Sequence, residues 1–542
     1  MATVAAVTAR ALADAGITRV FGLPGGEVLV LIDELRRAGV DFVLMRHESN
    51  AGIAAAVYGK LQRQPGVVLT TLGPGAANLM LPLTSAMLDQ EPLLAISAQI
   101  PDEFPASHTH QLLPLHDVYR PVTRYVEKIT TENAGQVVSR AVAECLTRPF
   151  SAAYLTLSAR EALKEMTSGG GSIRAASSGK GDPGGSIPVS TPAGDADVEA
   201  AALVARLQTA ARPLVLVGLG TDPANAGPLR KWLTDWNLPV AVTPKVKGIV
   251  DETATSFVGV VGGMAADGLM CQALERADLL IGFGLDPVEI DKTWHAELPI
   301  LWMLEVPNAC GRIPEGARLV DHRQLLNALA EHEPRPTWNE PFADIRRTRS
   351  EMLQARAHSE NAMWPGDVVA SMASVLPDET IVTTDVGSHK YLFGQFFPSR
   401  RPETFWMSNG LSGMAYGLSA AIGAKLARPA APVVAVVGDG GFSMNCQELE
   451  TAERIGAPFI TLVLEDHSYS LIKLAQEGRQ LEPYRMDFGP IDSVKVAEAC
   501  GIEGLRTADP STLQAATRGA LSSGRSLVVA VPIDYRDYKR LF

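Results

Sequence analysis

The stretch from Ala435 to Tyr469, AVVGDGGFSMNCQELETAERIGAPFITLVLEDHSY, constrains the fold more than any other part of this chain. The apolar run Pro432 to Val437 has the length and composition of a strand. A sharp turn is predicted at Gly438-Asp439-Gly440-Gly441, then a helix over Cys446 to Ile455 and a second strand over Phe459 to Leu464, which ends at Glu465-Asp466. A strand–helix–strand unit of this length is a right-handed crossover, so its strands run parallel and can be neighbours. Their carboxyl ends then share one edge, the edge at which α/β sheets bind ligands. Asp439 and Asp466, each just past a strand, are expected to face one another there.

Two carboxylates with glycine amides between them suit a divalent cation that holds a phosphorylated ligand. Mg²⁺ takes near-octahedral oxygen ligands and is usually shared between one or two carboxylates, substrate phosphates and water. Gly440 and Gly441 lack a Cβ, so their N–H groups can approach a phosphate oxygen closely. The plainer reading makes Asp439 a helix cap and Asp466 a turn residue. The separation of 27 residues, with a complete crossover between, favours the paired reading.

That spacing resembles the thiamin diphosphate motif, a Gly-Asp-Gly followed 27 residues later by Asn or Asp. The context Glu465-Asp466-His467-Ser468-Tyr469 is similar to the catabolic, flavin-independent acetolactate synthases. The resemblance spans nearly the whole chain. It implies three doubly wound parallel-sheet α/β domains in the pyruvate oxidase/decarboxylase-like architecture. It also implies that the Asp439 and Asp466 side chains and the Ser468 carbonyl bind Mg²⁺, with Gly438, Gly440, Gly441, Tyr469, Ser470 and Leu471 around the diphosphate.

At 542 residues the chain is too long for one core and predicts about three domains at roughly 150 residues each. Helix and strand alternate over 1–165, again over 193–335, and again over 363–542. Residues 166–192 are Gly/Ser-rich without apolar periodicity and predict a linker, and 336–362 read as a charged connector with some helix. By the resemblance the three are a pyrimidine-binding domain, a central domain without flavin and a diphosphate-binding domain. A net charge of −12 argues against a nucleic-acid partner. No apolar run reaches spanning length and residues 1–20 already read as helix, so a cytoplasmic protein without membrane span or signal peptide is expected. The five scattered cysteines contain no CxxC and read as reduced thiols.

In the first domain Arg46-His47-Glu48 follows a predicted strand (Phe42 to Met45) and precedes a helix from Asn50 to Gln62. Glu48 on its own is equally an acid favoured by the macrodipole in a helix's first turn. Beside the diphosphate motif it matches the family's catalytic glutamate, which hydrogen-bonds the aminopyrimidine and starts proton removal from the thiazolium carbon. In the family that glutamate and the diphosphate site come from different subunits, which implies a homodimer or homotetramer with its active site at the interface. Gly25, Gly26, Gly73, Pro74 and Asn78 match the loops packed on the pyrimidine, and Gln111 matches a glutamine near the reacting carbon. The turn at Leu72-Gly73-Pro74-Gly75 is predicted to lead into one helix running to about Leu88.

In the central domain Gly218-Leu219-Gly220-Thr221-Asp222-Pro223 follows a strand, but Pro223 replaces the third glycine and no acid ends the next strand, so the dinucleotide fingerprint fails. Gly284-Leu285-Asp286-Pro287-Val288-Glu289 stands where flavin-dependent relatives carry an R-F-D-D-like stretch. In the third domain the loop with Gly387, Ser388 and His389 resembles the diphosphate side, and Gly410, Ser412 and Met414 resemble the segment under the cofactor, where Met414 would impose its bent shape; core packing is the alternative for Met414.

Two segments depart from the catabolic branch. Glu27 stands where that branch has lysine, Ala475 where it has glutamine, and Lys473 where it has a small residue. These border the substrate space in the family, so a changed donor or, in preference, a changed acceptor is expected, with Lys473 free to hold an anion. Three functions follow. The first is a carboligase joining a 2-oxo acid, pyruvate by resemblance, to a second carbonyl compound. The second is a non-ligating 2-oxo acid decarboxylase, which usually uses a His-His pair absent here. The third is a non-catalytic subunit, against which Glu48, Asp439 and Asp466 argue.

Overall fold

The computed structural model describes residues 2–105, 107–166, 194–335, 338, 340–354 and 357–542. The predicted linker therefore lies, apart from Met166, outside the described residues. The chain divides into two compact units: Met1–Val189 with Ile422–Arg428, and Ser190–Ala421 with Pro429–Phe542. No helix among the described residues is long and apolar enough to cross a membrane.

The first unit holds a six-stranded sheet of β1 (Arg19–Gly22), β2 (Asp41–Leu44), β3 (Gly66–Thr70), β4 (Leu93–Gln99), β5 (Tyr125–Lys128) and β6 (Ala152–Ser158). Its order is β2-β1-β3-β4-β6-β5. Three helices matter to function: α1 (Glu48–Gln62), α2 (Pro74–Ala77) and α3 (Met80–Leu88). β3 and β6 are buried along their length, as strands covered on both faces must be.

The second unit holds two sheets. The first is β7 (Pro213–Val217), β8 (Val240–Val242), β9 (Phe257–Val260), β10 (Leu279–Phe283), β11 (Ile300–Leu304) and β12 (Arg318–Leu319), ordered β12-β11-β10-β7-β8-β9. The second is β13 (Ile381–Thr384), β14 (Phe405–Met407), β15 (Val433–Gly438), β16 (Ile460–Glu465), β17 (Glu503–Arg506) and β18 (Leu527–Pro532), ordered β14-β13-β15-β16-β18-β17. Its functional helices are α4 (Ser388–Phe396), α5 (Asp439–Asn445), α6 (Glu448–Arg454) and α7 (Ser470–Gly478). One apolar core runs through both sheets, from Leu203 and Trp236 to Val436 and Leu462.

The first and third sheets share one strand order, relabelled 2-1-3-4-6-5, whereas the middle one has the order 3-2-1-4-5-6 of dinucleotide-binding sheets. The outer two thus share one topology, and the middle sheet is a different doubly wound arrangement. The expected pairing of the key strands holds: β15 lies parallel to β16, with Gly438 opposite Leu464.

Four boundaries differ from expectation. The predicted turn at 438–441 is a helix start: β15 continues to Gly438 and α5 begins at Asp439, whose Oδ1 accepts the Gly440 N–H at 2.9 Å. The predicted helix over Cys446 to Ile455 is instead α6, separated from α5 only by Cys446 and Gln447. The predicted helix from Gly75 to Leu88 breaks at Asn78, whose carbonyl accepts the Ser49 hydroxyl at 2.6 Å and whose side chain is turned to Glu48. α1 starts two residues early because the His47 side chain caps it, Nδ1 accepting the Ser49 N–H at 3.1 Å.

Candidate active site

In the first unit the turn from Thr71 to Asn78 gathers most of the expected residues. Glu48 is the first residue of α1 and half-buried. Its Oε2 accepts a hydrogen bond from Asn78 Nδ2 at 2.9 Å. Gly75 leaves room for the same carboxylate, since a Cβ there would lie 3.3 Å from Glu48 Oε1. Gln111 packs on Gly73, whose φ of +60° a side chain would strain. Glu27 accepts from the Thr71 hydroxyl at 2.5 Å, and Gly25 lies against the same threonine. Pro74 opens α2 as its first residue. Gly26 is exposed, with nothing near its Cα direction.

In the second unit the ends of β13, β15 and β16 converge. Asp439 is buried and its Oδ2 accepts from the His467 N–H at 2.7 Å, with His467 Nδ1 at 3.1 Å. Asp466 Oδ1 accepts the Ser468 N–H at 3.2 Å. Burial raises both carboxyls above the usual aspartate range, Asp466 to about 7 with Asp439 as the next cause. Burial and mutual repulsion disfavour two negative charges here, and a cation between them relieves both. Among the described residues no group of three or more His, Cys, Asp or Glu forms a metal site. A cation would therefore rest on two carboxylates, backbone oxygen and its ligand's phosphates, the mode Mg²⁺ favours.

Ser470 hydrogen-bonds Asp466 and lies with its Oγ 3.2 Å from that of Ser388, tying α7 to α4. His389 is buried between Gly387 and Gly438, where a Cβ would come within 2.7 and 3.0 Å of its ring. Burial pushes it down to about 3, so the ring is neutral, and Nε2 has no protein partner. The Tyr469 ring lies over Gly440 and against Phe488, at 5.2 Å between centroids. Leu471 and Met414 are half-buried, and Gly410 and Ser412 lie on the loop after β14.

Two further residues shape the site: Asp385, which opens the loop read as the diphosphate side, and Lys390, which the sequence reading did not single out. Asp385, fully buried, accepts N–H bonds from Val386, Ala415 and Tyr416, and a Cβ on Gly441 would lie 2.1 Å from its Oδ2. Burial raises it to about 6. Lys390 is buried and donates to the Ser408 carbonyl at 2.8 Å and to Ser412 Oγ at 3.3 Å. A charged residue directly behind a glycine loop was the available signal for both.

With this geometry in place, comparison with known proteins is decisive. Family models match along the chain: the N-terminal TPP binding domain of thiamine pyrophosphate enzymes over residues 2–117, the central domain over 200–301 and the C-terminal TPP binding domain over 385–531. The chain is 31% identical to the acetolactate synthase of Bacillus subtilis (strain 168), covering 97% of this chain and 92% of that protein. The chain belongs to the acetolactate synthase-like thiamine pyrophosphate enzymes. It is also 29% identical to the catabolic acetolactate synthase of Raoultella terrigena, over 96% of this chain and 93% of that one.

Thiamin diphosphate is thus the cofactor of this acetolactate synthase-like enzyme, and the second unit suits its diphosphate. The buried, unpartnered His389 Nε2 is a polar atom that a ligand would satisfy. Gly441 lets the α5 backbone close on Asp385, where any side chain would clash.

One expectation fails in this acetolactate synthase-like chain. Lys473 is not a free cation: it pairs with Asp487 at 2.8 and 3.0 Å and lies 4.3 Å from the Tyr535 ring centre. Ala475, on the next part of α7, is exposed.

Proposed function

We propose that this chain is a Mg²⁺-dependent carboligase that decarboxylates a 2-oxo acid, pyruvate in the simplest case, and joins the acyl unit to a second carbonyl compound. The reading rests on one observation: Asp439 and Asp466 at the ends of adjacent parallel strands, beside the glycine-rich start of α5. Bound thiamin diphosphate supplies the electron sink for decarboxylation. Asp439, Asp466 and the Ser468 carbonyl hold the cation; Gly438, Gly440, Gly441, Gly387, Ser388, His389, Tyr469, Ser470 and Leu471 line the diphosphate. Gly410, Ser412 and Met414 support the ring system. Glu48, oriented by Asn78, holds or moves a proton at its Oε atoms beside Gly25, Gly26, Gly73 and Pro74, and Gln111 stands near the reacting carbon.

On this reading residues 1–165 bind the pyrimidine, 193–335 form a central domain without flavin, and 363–542 bind the diphosphate. The enzyme is a homodimer or homotetramer in which Glu48 of one subunit serves the other's metal site, and it is cytoplasmic. Mixing inactive Glu48→Gln and Asp466→Ala proteins under subunit exchange restores activity if sites are shared. Activity that stays at the level of the separate variants contradicts sharing.

Mass spectrometry of products from pyruvate alone, and with a panel of acceptors, tests the reaction. Acetolactate or a mixed hydroxyketone supports the carboligase. Acetaldehyde and CO₂ alone establish the decarboxylase instead.

The acceptor is expected to differ from pyruvate, now on the strength of Ala475 and Glu27. A glutamine amide at 475 would offer polar recognition of a small acid, and loss of such a contact can shift selectivity by orders of magnitude. Lys473 serves α7 through Asp487, so Lys473→Ala should loosen that helix without redirecting the substrate. Competition between pyruvate and a bulkier acceptor should swing at least about tenfold toward pyruvate in Ala475→Gln. No swing removes residue 475 from the substrate site.

A further inference from the structure

The middle sheet has the strand order of dinucleotide-binding sheets, whose ligands sit where the order reverses, here between β7 and β10. The turn after β7 is Gly218-Leu219-Gly220, a run suited to a phosphate. Its donors are already used. Glu289, just after β10 and only 2% exposed, accepts the Leu219 N–H at Oε2 (3.0 Å) and the Lys245 N–H at Oε1 (2.7 Å), and Oε2 also accepts the Thr243 hydroxyl. An anion on converging backbone amides and a hydroxyl reproduces what a phosphate meets at such an edge. Burial pushes the Glu289 carboxyl up to about 7, and these three donors oppose that by favouring its ionised form.

The same residue reaches toward the third sheet. The Glu289 carbonyl accepts Asn409 Nδ2 at 3.1 Å, and Lys245 Nζ donates to the Met407 carbonyl at 2.9 Å. Met407 ends β14, and Asn409 lies on the loop that carries Gly410, Ser412 and Met414. We infer that Glu289 fills the phosphate seat of the middle sheet and, through Asn409 and Lys245, acts as a positioning residue for the cofactor loop 408–414. The inference rests on the reading of that loop as a cofactor segment. An internal carboxylate then does in this chain what a bound nucleotide's phosphate would do at the same edge, holding the β7 and β8 turns in fixed relation to the loop.

The test uses full-length Glu289→Ala, Glu289→Gln and Asn409→Ala, with thiamin diphosphate binding followed by calorimetry and by the cofactor concentration giving half-maximal activity. Glu289→Ala should raise that concentration by about tenfold or more, in the range found when a partner one step removed from a ligand is lost. Acetate or inorganic phosphate should restore it toward wild type by occupying the vacated seat. Asn409→Ala should weaken binding without rescue by either anion, since the Glu289 carboxylate still occupies the seat. Glu289→Gln, which keeps the volume and one acceptor oxygen, should fall between, and it carries the test if the alanine variant does not fold. Lower melting temperatures with unchanged cofactor affinity in Glu289→Gln and Asn409→Ala would assign Glu289 a purely structural role and overturn the inference. Absence of cofactor binding in wild type would instead refute the loop assignment itself.

Discussion

Glu48→Gln is expected to lower turnover by roughly 10²-fold or more, because positioned general acid–base help is worth about 10²–10⁴-fold. The substitution is nearly isosteric, and the Asn78 side chain that now donates to Oε2 at 2.9 Å can still meet an amide oxygen. The α1 cap comes from His47, not from Glu48, so the helix start should persist. What is lost is a group able to hold and release a proton at that point. Cofactor binding should survive, since the residues assigned to metal and diphosphate lie in the other compact unit. The decisive readout is hydrogen–deuterium exchange at the reactive carbon of the bound cofactor, followed by NMR after acid quench. Exchange should slow in parallel with turnover. Exchange at the wild-type rate in Glu48→Gln would remove Glu48 from proton transfer, whatever happened to the overall rate.

How far the sequence carries is seen in which residues it brings together. The β15–β16 pair was legible because an apolar run, a helix-length spacer and a second apolar run leave one topology open. The neighbours of Glu48 were legible only through resemblance: nothing local says that Asn78, 30 residues away, would donate to it. Helix starts were misjudged where tertiary contacts override propensity. Gly440 and Gly441 are weak helix formers, yet they stand in α5, where Asp385 occupies the space that a side chain on Gly441 would need. The buried roles of Asp385 and Lys390 depend on contacts with residues 408–416, which no periodicity reveals. Glu289 is the clearest case. In the sequence it merely replaces part of a flavin motif, whereas in the fold its carboxylate joins β7 to β8 and its carbonyl meets Asn409.

Asp466→Asn should uncouple stability from cofactor binding. In the protein without ligands the Asp466 carboxylate lies at a buried strand end beside Asp439, supported by Ser468 and Ser470. Asparagine keeps the shape and an acceptor oxygen while removing one of two unfavourable charges, so the ligand-free variant should melt no lower than wild type. The same charge is what a divalent cation would use. The amide oxygen still offers one metal contact, as in the Asn-bearing form of the motif, so loss of the charge alone should weaken Mg²⁺-supported thiamin diphosphate binding by about tenfold. The two effects have opposite signs in one assay. Wild type at a hundredfold excess of ligand over its Kd should gain about 2.7 kcal/mol. The variant under the same conditions should gain about 1.4 kcal/mol, and thermal unfolding with and without Mg²⁺ and cofactor measures both. A variant stabilised by the ligands as fully as wild type would show that the Asp466 charge adds nothing to metal binding. A variant that melts far lower than wild type without ligands would mean that the carboxylate is a structural anchor, with Ser468 and Ser470 as its purpose.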